Sequence, residues 1–152
     1  MMYTVTELLT ETHVSDIVAL GRVFVAEAGA HLEYDEKEVR ETCRIVVSDM
    51  DREYFNFFLV YREDEPIGFI YASCGKYIFN QQRFAQQELI YVRPAYRHTR
   101  AFLKLIKAFE EWARLRSAVE IWMGTGHSKT FSTVLPRIGY PEVGTYHKKR
   151  TV

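Results

Sequence analysis

The sequence predicts an α/β fold in one domain, on three observations. Amphipathic helical segments alternate with short extended apolar runs, one such run passes through a basic turn straight into a helix, and nothing along the chain breaks it into parts. The length of 152 residues suits a single core, and 47% hydrophobic with 26% charged residues is an ordinary globular balance. There is no repeat, low-complexity tract or Pro/Gly/Ser-rich linker, because the four prolines are scattered at Pro66, Pro94, Pro136 and Pro141.

Residues 3–8 read as a first strand, and Ser15 as the N-cap of a helix through Ile17, Leu20, Val23 and Phe24 that Gly29 ends. A loop through His31, Leu32, Glu33 and Tyr34 leads to Asp35, a second N-cap with Glu38 in the capping-box position, ahead of a helix carrying Val39, Cys43, Val46 and Val47. Residues 55–61 and 67–73 form a hairpin around the charged turn at 62–66, and residues 87–92 form a strand that leaves the sheet at Pro94. Beyond the basic turn, Phe102, Leu105, Ile106, Phe109, Trp112 and Ala113 fall on one face of a helix lying across the sheet. Residues 119–123 are a short strand, 128–138 a helix or helical turn containing Pro136, and 143–149 a last strand, so the order is β-α-α-β-β-β-α-β-α-β.

Composition excludes several classes of function. With 20 basic and 20 acidic residues the net charge is zero, which gives no support to nucleic acid or an anionic membrane as the partner. The aromatic run at Tyr54, Phe55, Phe57 and Phe58 reads as two faces of one strand rather than a base-stacking platform, since Asp49, Asp51 and Glu53 beside it outweigh Arg52. Cys43 and Cys74 make neither a disulfide framework nor a metal site, and no histidine stands at metal-ligand spacing from Cys or Asp. No stretch has the length of a membrane span or the order of a signal peptide, so the expectation is a soluble, cytoplasmic protein.

The most informative stretch is 89–112, where the strand ending at Val92-Arg93-Pro94 is followed by Arg97-His98-Thr99-Arg100 and then the amphipathic helix. The first N–H groups of a helix lack intrahelical partners and sit at the positive end of its dipole, which suits a pyrophosphate and hence a nucleotide-type cofactor. His98 is either a further donor to that pyrophosphate or a solvent-facing turn residue.

Three local matches in this order resemble the GNAT superfamily of N-acetyltransferases. They are Glu88-Leu89-Ile90-Tyr91-Val92 before Arg93-Pro94-Ala95-Tyr96-Arg97, the strand start Pro66-Ile67-Gly68-Phe69-Ile70, and Ile138-Gly139-Tyr140 before Gly144-Thr145-Tyr146. The resemblance extends over essentially the whole chain. It implies a mixed, mostly antiparallel central sheet flanked by helices, with acetyl-CoA as cofactor along Ile90, Tyr91 and Val92 and at the turn Arg97, His98, Thr99, Arg100 and Ala101. It also implies acetyl transfer to an amine acceptor, a small molecule or a protein, by direct attack on the thioester, with a homodimer left open.

The same resemblance makes Glu88 the candidate general base, directly or through water, the other reading being a solvated charge at the strand entrance. His127, in the loop Gly124-Thr125-Gly126-His127-Ser128, is a candidate base or acceptor-binding group, or simply a loop histidine beside the Ser128 cap. Glu33 and Tyr34 are candidates for the acceptor site, whereas Asp35 and Glu36 suit helix capping.

Two departures stand against the family pattern. Its two small residues after the Arg are replaced by Arg100, an extra clamp or a block, and by Phe102, which must turn into the core. The family's usual acid, a Tyr ahead of the closing Gly, is replaced by Leu135, which leaves Tyr140 and Tyr146 as the nearby hydroxyls. These departures keep a rival open, a fold relative without catalysis that serves as a structural or interaction protein, and a third reading, a module that binds acyl-CoA as a regulatory ligand.

Overall fold

The computed structural model describes residues 2–29, 31–125 and 128–151, and the chain divides into two compact units, Met1–Trp122 and Met123–Val152. The first unit contains β1 (Tyr3–Glu7), α1 (Glu11–Ala28), α2 (Glu36–Ser48), β2 (Phe55–Arg62), β3 (Glu65–Lys76), β4 (Arg83–Val92), a single 3-10 turn Pro94–Tyr96, α3 (Ala101–Leu115) and β5 (Ala118–Trp122). Its sheet runs β1-β2-β3-β4-β5, antiparallel throughout except that β4 and β5 are parallel, with α3 as the crossover between them.

β2 is buried along most of its length because both faces of the sheet are covered. Phe57 and Leu59 join Phe69 and Tyr91 in the cluster formed with Val14, Ile17 and Leu20 of α1 and Cys43 and Val46 of α2. The intervening Phe58 turns to the other face, where its ring meets Trp112 of α3 edge-on at 6.1 Å. The apolar stripe expected on α3 is the buried one: Phe102, Leu105, Ile106, Phe109, Trp112 and Ala113 are all in the core. Lys104, off that stripe, reaches the carbonyl of Tyr3 with its ammonium at 2.8 Å.

Helix starts follow local chemistry, and one differs from the sequence expectation. α1 begins at Glu11, ahead of Ser15, because Thr10 and His13 form a reciprocal cap. The Thr10 hydroxyl accepts from the His13 N–H at 3.2 Å, while His13 Nδ1 accepts from the N–H groups of Leu9 and Thr10 at 3.0 and 3.3 Å. A histidine in the place of the usual Glu or Gln hides this signal. Gly29 ends the helix as expected, at φ 134, a conformation that suits glycine alone. Asp35 caps α2, accepting from the N–H groups of Lys37 and Glu38.

β3 and β4 are longer than expected, absorbing much of the irregular segment between them. Their ladder carries a bulge: Tyr71 faces Leu89 and Ala72 faces Gln87, so Glu88 is the extra residue.

In the second unit, α4 (Lys129–Arg137) is capped by Ser128, whose hydroxyl accepts from the Phe131 N–H, and Pro136 falls in its last turn. The strand expected at 143–149 is absent, and these residues are exposed without regular structure. Val143 and Tyr146 are the only large apolar residues there, next to His147, Lys148, Lys149 and Arg150, which leaves little apolar surface to offset the entropy of ordering a strand.

Candidate active site

The β4–β5 ladder pairs Arg83 with Ala118, Phe84 with Glu120, Ala85 with Ile121 and Gln86 with Trp122, and there it stops. β4 continues to Val92, so its second half keeps β3 on one side and has no ladder partner on the other among the described residues. Backbone groups alternate along a strand. The Arg93 N–H donates to the Ile67 carbonyl on β3 at 2.8 Å, which places the N–H and C=O groups of Val92 and Ile90 on the open side. The Val92 carbonyl agrees with this, since it accepts from Arg97 Nε at 2.8 Å rather than from a strand.

The close approach of β3 beneath this edge depends on Gly68, opposite Val92. A Cβ there would lie 2.6 Å from the Tyr91 carbonyl oxygen.

The turn beyond Val92 leads into α3. The Tyr96 carbonyl accepts from the Thr99 hydroxyl at 2.7 Å and from its N–H at 3.2 Å, and the same hydroxyl accepts from the Ala101 N–H at 3.2 Å. The first regular helical bond shown at this end is Lys104 N–H to the Arg100 carbonyl, at 3.0 Å. Ala101 and Phe102 are buried as α3 begins, whereas His98 and Arg100 are exposed. Phe102 therefore turns into the core as its position demanded, and Arg100 stands outward.

Arg97 is differently employed. Besides its bond to Val92, it pairs with Glu27 of α1 at 2.7 Å and lies 5.6 Å from the centre of the Tyr91 ring. Burial, followed by the Glu27 carboxylate, pushes the Tyr91 hydroxyl up to about 12.

Glu88 is exposed at the bulge and accepts a 2.5 Å hydrogen bond from the Ser73 hydroxyl on β3. On the same sheet face Tyr71 stacks between Phe57 and Phe55, with ring centres 4.4 and 5.8 Å away. Burial raises the Tyr71 hydroxyl above its ordinary range, and the Glu88 charge adds to this.

In the loop between α1 and α2, Glu33 is exposed, while the Tyr34 hydroxyl donates to the Val18 carbonyl at 2.5 Å and Arg22 lies 5.0 Å over its ring. Asp35 is the helix cap and Glu36 pairs with Arg22 and Arg40, so both acids serve structure.

The structure thus gathers Glu88, Ile90, Tyr91, Val92 and the 97–101 turn along one strand edge and the helix start it feeds. His127 lies outside the described residues. Tyr140 belongs to the second unit, where its N–H donates to the Leu135 carbonyl at 3.0 Å, and Leu135 itself is buried. Sequence reading missed Ser73 and Glu27, because neither partnership follows from spacing. Among the described residues no group of His, Cys, Asp and Glu could hold a metal ion, and no helix is long and apolar enough to cross a membrane.

The sequence pattern of the acetyltransferase (GNAT) family matches residues 9–139, and the chain belongs to that family. The cofactor of a GNAT acetyltransferase is acetyl-CoA.

Solved structures agree on the fold. The aminoglycoside N-acetyltransferase AAC(6')-Iy in complex with CoA is 18% identical with a TM-score of 0.78, covering 99% of this chain and 95% of its own. The aminoglycoside acetyltransferase meta-AAC0020, from an uncultured soil metagenomic sample in complex with sisomicin, is 16% identical with a TM-score of 0.74, covering 99% and 96%. A ribosomal-protein-alanine N-acetyltransferase from Brucella melitensis biovar Abortus 2308 is 12% identical with a TM-score of 0.73, covering 100% of both chains. No curated protein matches the chain by sequence.

Proposed function

We propose that this protein transfers acetyl from acetyl-CoA to the nitrogen of an amine acceptor by direct attack on the thioester. The observation that carries the proposal is the stretch of β4 from Ile90 to Val92, which among the described residues has no ladder partner on the side away from β3 and turns the Ile90 N–H and C=O and the Val92 N–H to that side, ahead of the 97–101 turn and the start of α3. An amide-bearing arm can pair with such an edge as a strand would, and a pyrophosphate suits the helix start beyond it. Acetyl-CoA supplies an acetyl group already activated for attack by an amine. The chain's residues would bind and orient it, the Ile90 and Val92 N–H groups on the open side of β4 being available as donors to the negative charge that develops on the acyl oxygen. Glu88, directed by Ser73, would take the proton that the attacking nitrogen gives up, directly or through water, while the carbon–sulfur bond breaks and CoA departs as its thiolate, which takes a proton from solvent.

For the acceptor, the reading favours a small-molecule amine. The Tyr71 ring, close enough to Glu88 to feel its charge and stacked on Phe55, and the exposed carboxylate of Glu33 suit a cation. The aminoglycoside acetyltransferases among the structural neighbours support the same class. Titration of the purified protein with acetyl-CoA and CoA, followed by an acetylation screen of sisomicin, other aminoglycosides, polyamines and a peptide with an N-terminal alanine, tests both steps. Binding with turnover of one acceptor class is the expected result, and no binding would refute the enzyme reading. The aliphatic, buried Leu135 at the usual acid position favours one alternative, a catalytically silent relative, which predicts binding without turnover on any amine.

A further inference from the structure

We propose that Arg100 is the cation for the pyrophosphate of acetyl-CoA, and that Arg97 is instead a strut that ties the phosphate turn to α1. The inference rests on the cofactor reading above and assigns roles within it.

Arg97 is held in place, with two of its five N–H donors committed and its charge matched by a carboxylate. Its Nε is bound to the Val92 carbonyl at 2.8 Å, its terminal nitrogen to Glu27 at 2.7 Å, and its guanidinium lies 5.6 Å from the centre of the Tyr91 ring, with the side chain only 22% exposed. Turning it toward a phosphate would break these contacts and leave the Glu27 carboxylate without its cation near the incoming negative charge. Its positive charge is already offset by Glu27, so it adds little net field to the turn. Its contacts are those of a brace: one guanidinium joins the end of β4, a ring on that strand and the last turns of α1.

Arg100 has the opposite surroundings. It occupies the cap position of α3 with helical backbone angles (φ −71, ψ −6), makes no capping bond with its side chain and is exposed. Among the described residues no carboxylate stands within ion-pair distance of it or of His98, which is exposed in the same turn. Because Ala101 and Phe102 are buried immediately after it, Arg100 lies on the outward side of the first turn of α3. A guanidinium there can bring several N–H donors to two phosphate oxygens at once, which substitutes for the close backbone approach that a glycine would permit.

The test is calorimetric titration of acetyl-CoA, CoA and 3'-dephospho-CoA into the wild-type protein and Arg100→Ala, Arg97→Ala, Glu27→Ala and Arg97→Ala/Glu27→Ala variants, with melting temperatures of each. Arg100→Ala should weaken all three ligands by about tenfold or more at unchanged melting temperature and flatten the salt dependence of binding. Arg97→Ala and Glu27→Ala should each lower the melting temperature, with the double variant no lower than the worse single one, and should cost less affinity than Arg100→Ala. The proposal is overturned if Arg100→Ala binds like the wild type. It is equally overturned if its defect disappears with 3'-dephospho-CoA, or if Arg97→Ala loses binding while its melting temperature holds. Failure of the wild-type protein to bind any of the three ligands would refute the cofactor reading itself, a result separable from every variant outcome.

Discussion

The Ser73 hydroxyl reaches Oε1 of Glu88 at 2.5 Å although the two residues are not partners in the β3–β4 ladder. Ser73 faces Gln86, and only the bulge that inserts Glu88 between Gln87 and Leu89 brings its carboxylate within reach. If Glu88 is the base, Glu88→Gln should lower kcat about 100-fold. Ser73→Ala should lower it several-fold, Ser73→Thr should restore it, and Ser73→Ala in the Glu88→Gln background should add nothing. Initial rates for the four variants with a screened acceptor decide this, and additive losses would separate the two residues.

Gly68→Ala should destabilise the protein by about 2 kcal/mol, the typical cost of forcing extra volume into a packed interior. The added Cβ meets a backbone oxygen, that of Tyr91, at 2.6 Å, and the Val92 side chain at 3.0 Å, so β4 itself has to move. Urea denaturation measures the loss, and weaker acetyl-CoA binding should accompany it because the displaced strand is the proposed ligand edge.

Trp112→Phe should cost about 1–3 kcal/mol, because the indole Nε1 donates to the Arg52 carbonyl at 3.0 Å and phenylalanine leaves that buried acceptor unmatched. Arg52 holds a positive φ of 49 and sends its guanidinium to the Leu8 carbonyl at 2.9 Å, so the loss falls on a junction between the segment after α2, the end of β1 and α3. Equilibrium unfolding followed by far-UV circular dichroism tests it.

Burial pushes the Cys43 thiol up to about 12 from its ordinary value of 9.0. Above pH 9 the unfolded chain releases this proton while the folded one retains it, so ionisation favours unfolding progressively until the folded thiol also ionises near pH 12. Tyr61 and Tyr91, both raised mainly by burial, act in the same direction at higher pH. Urea midpoints should therefore fall between pH 9 and pH 11, less steeply in Cys43→Ala, and the native thiol should resist thiol reagents at pH 8. Equal slopes in the two proteins would show that Cys43 contributes nothing.

Much of this architecture was legible because it rests on periodicity and local chemistry. The α3 stripe from Phe102 to Trp112, the Asp35 cap and the Gly29 stop are each determined within a few residues. The start of α1 was missed because His13 performs a capping role that sequence rules assign to Glu or Gln. The strand expected at 143–149 was read from apolar and aromatic residues too sparse to order an exposed segment. At the site, the strand edge and the turn were readable as a contiguous stretch. The partners of Arg97 and Glu88 were not, since Glu27 and Ser73 are brought to them by α1 packing and by a bulge, which leave no mark in spacing.

The point where β5 leaves β4 also limits the kind of molecule that can dock. A guest lying along Ile90 to Val92 must present donors and acceptors at the repeat of an extended peptide and approach within the usual lateral spacing of strands, about 4.7–4.9 Å. Thin, flexible arms with amide groups meet that requirement, whereas rigid planar rings do not. If acetyl-CoA docks there as proposed, the edge acts as a shape filter ahead of any chemistry, selecting acyl carriers by the form of the arm that bears them.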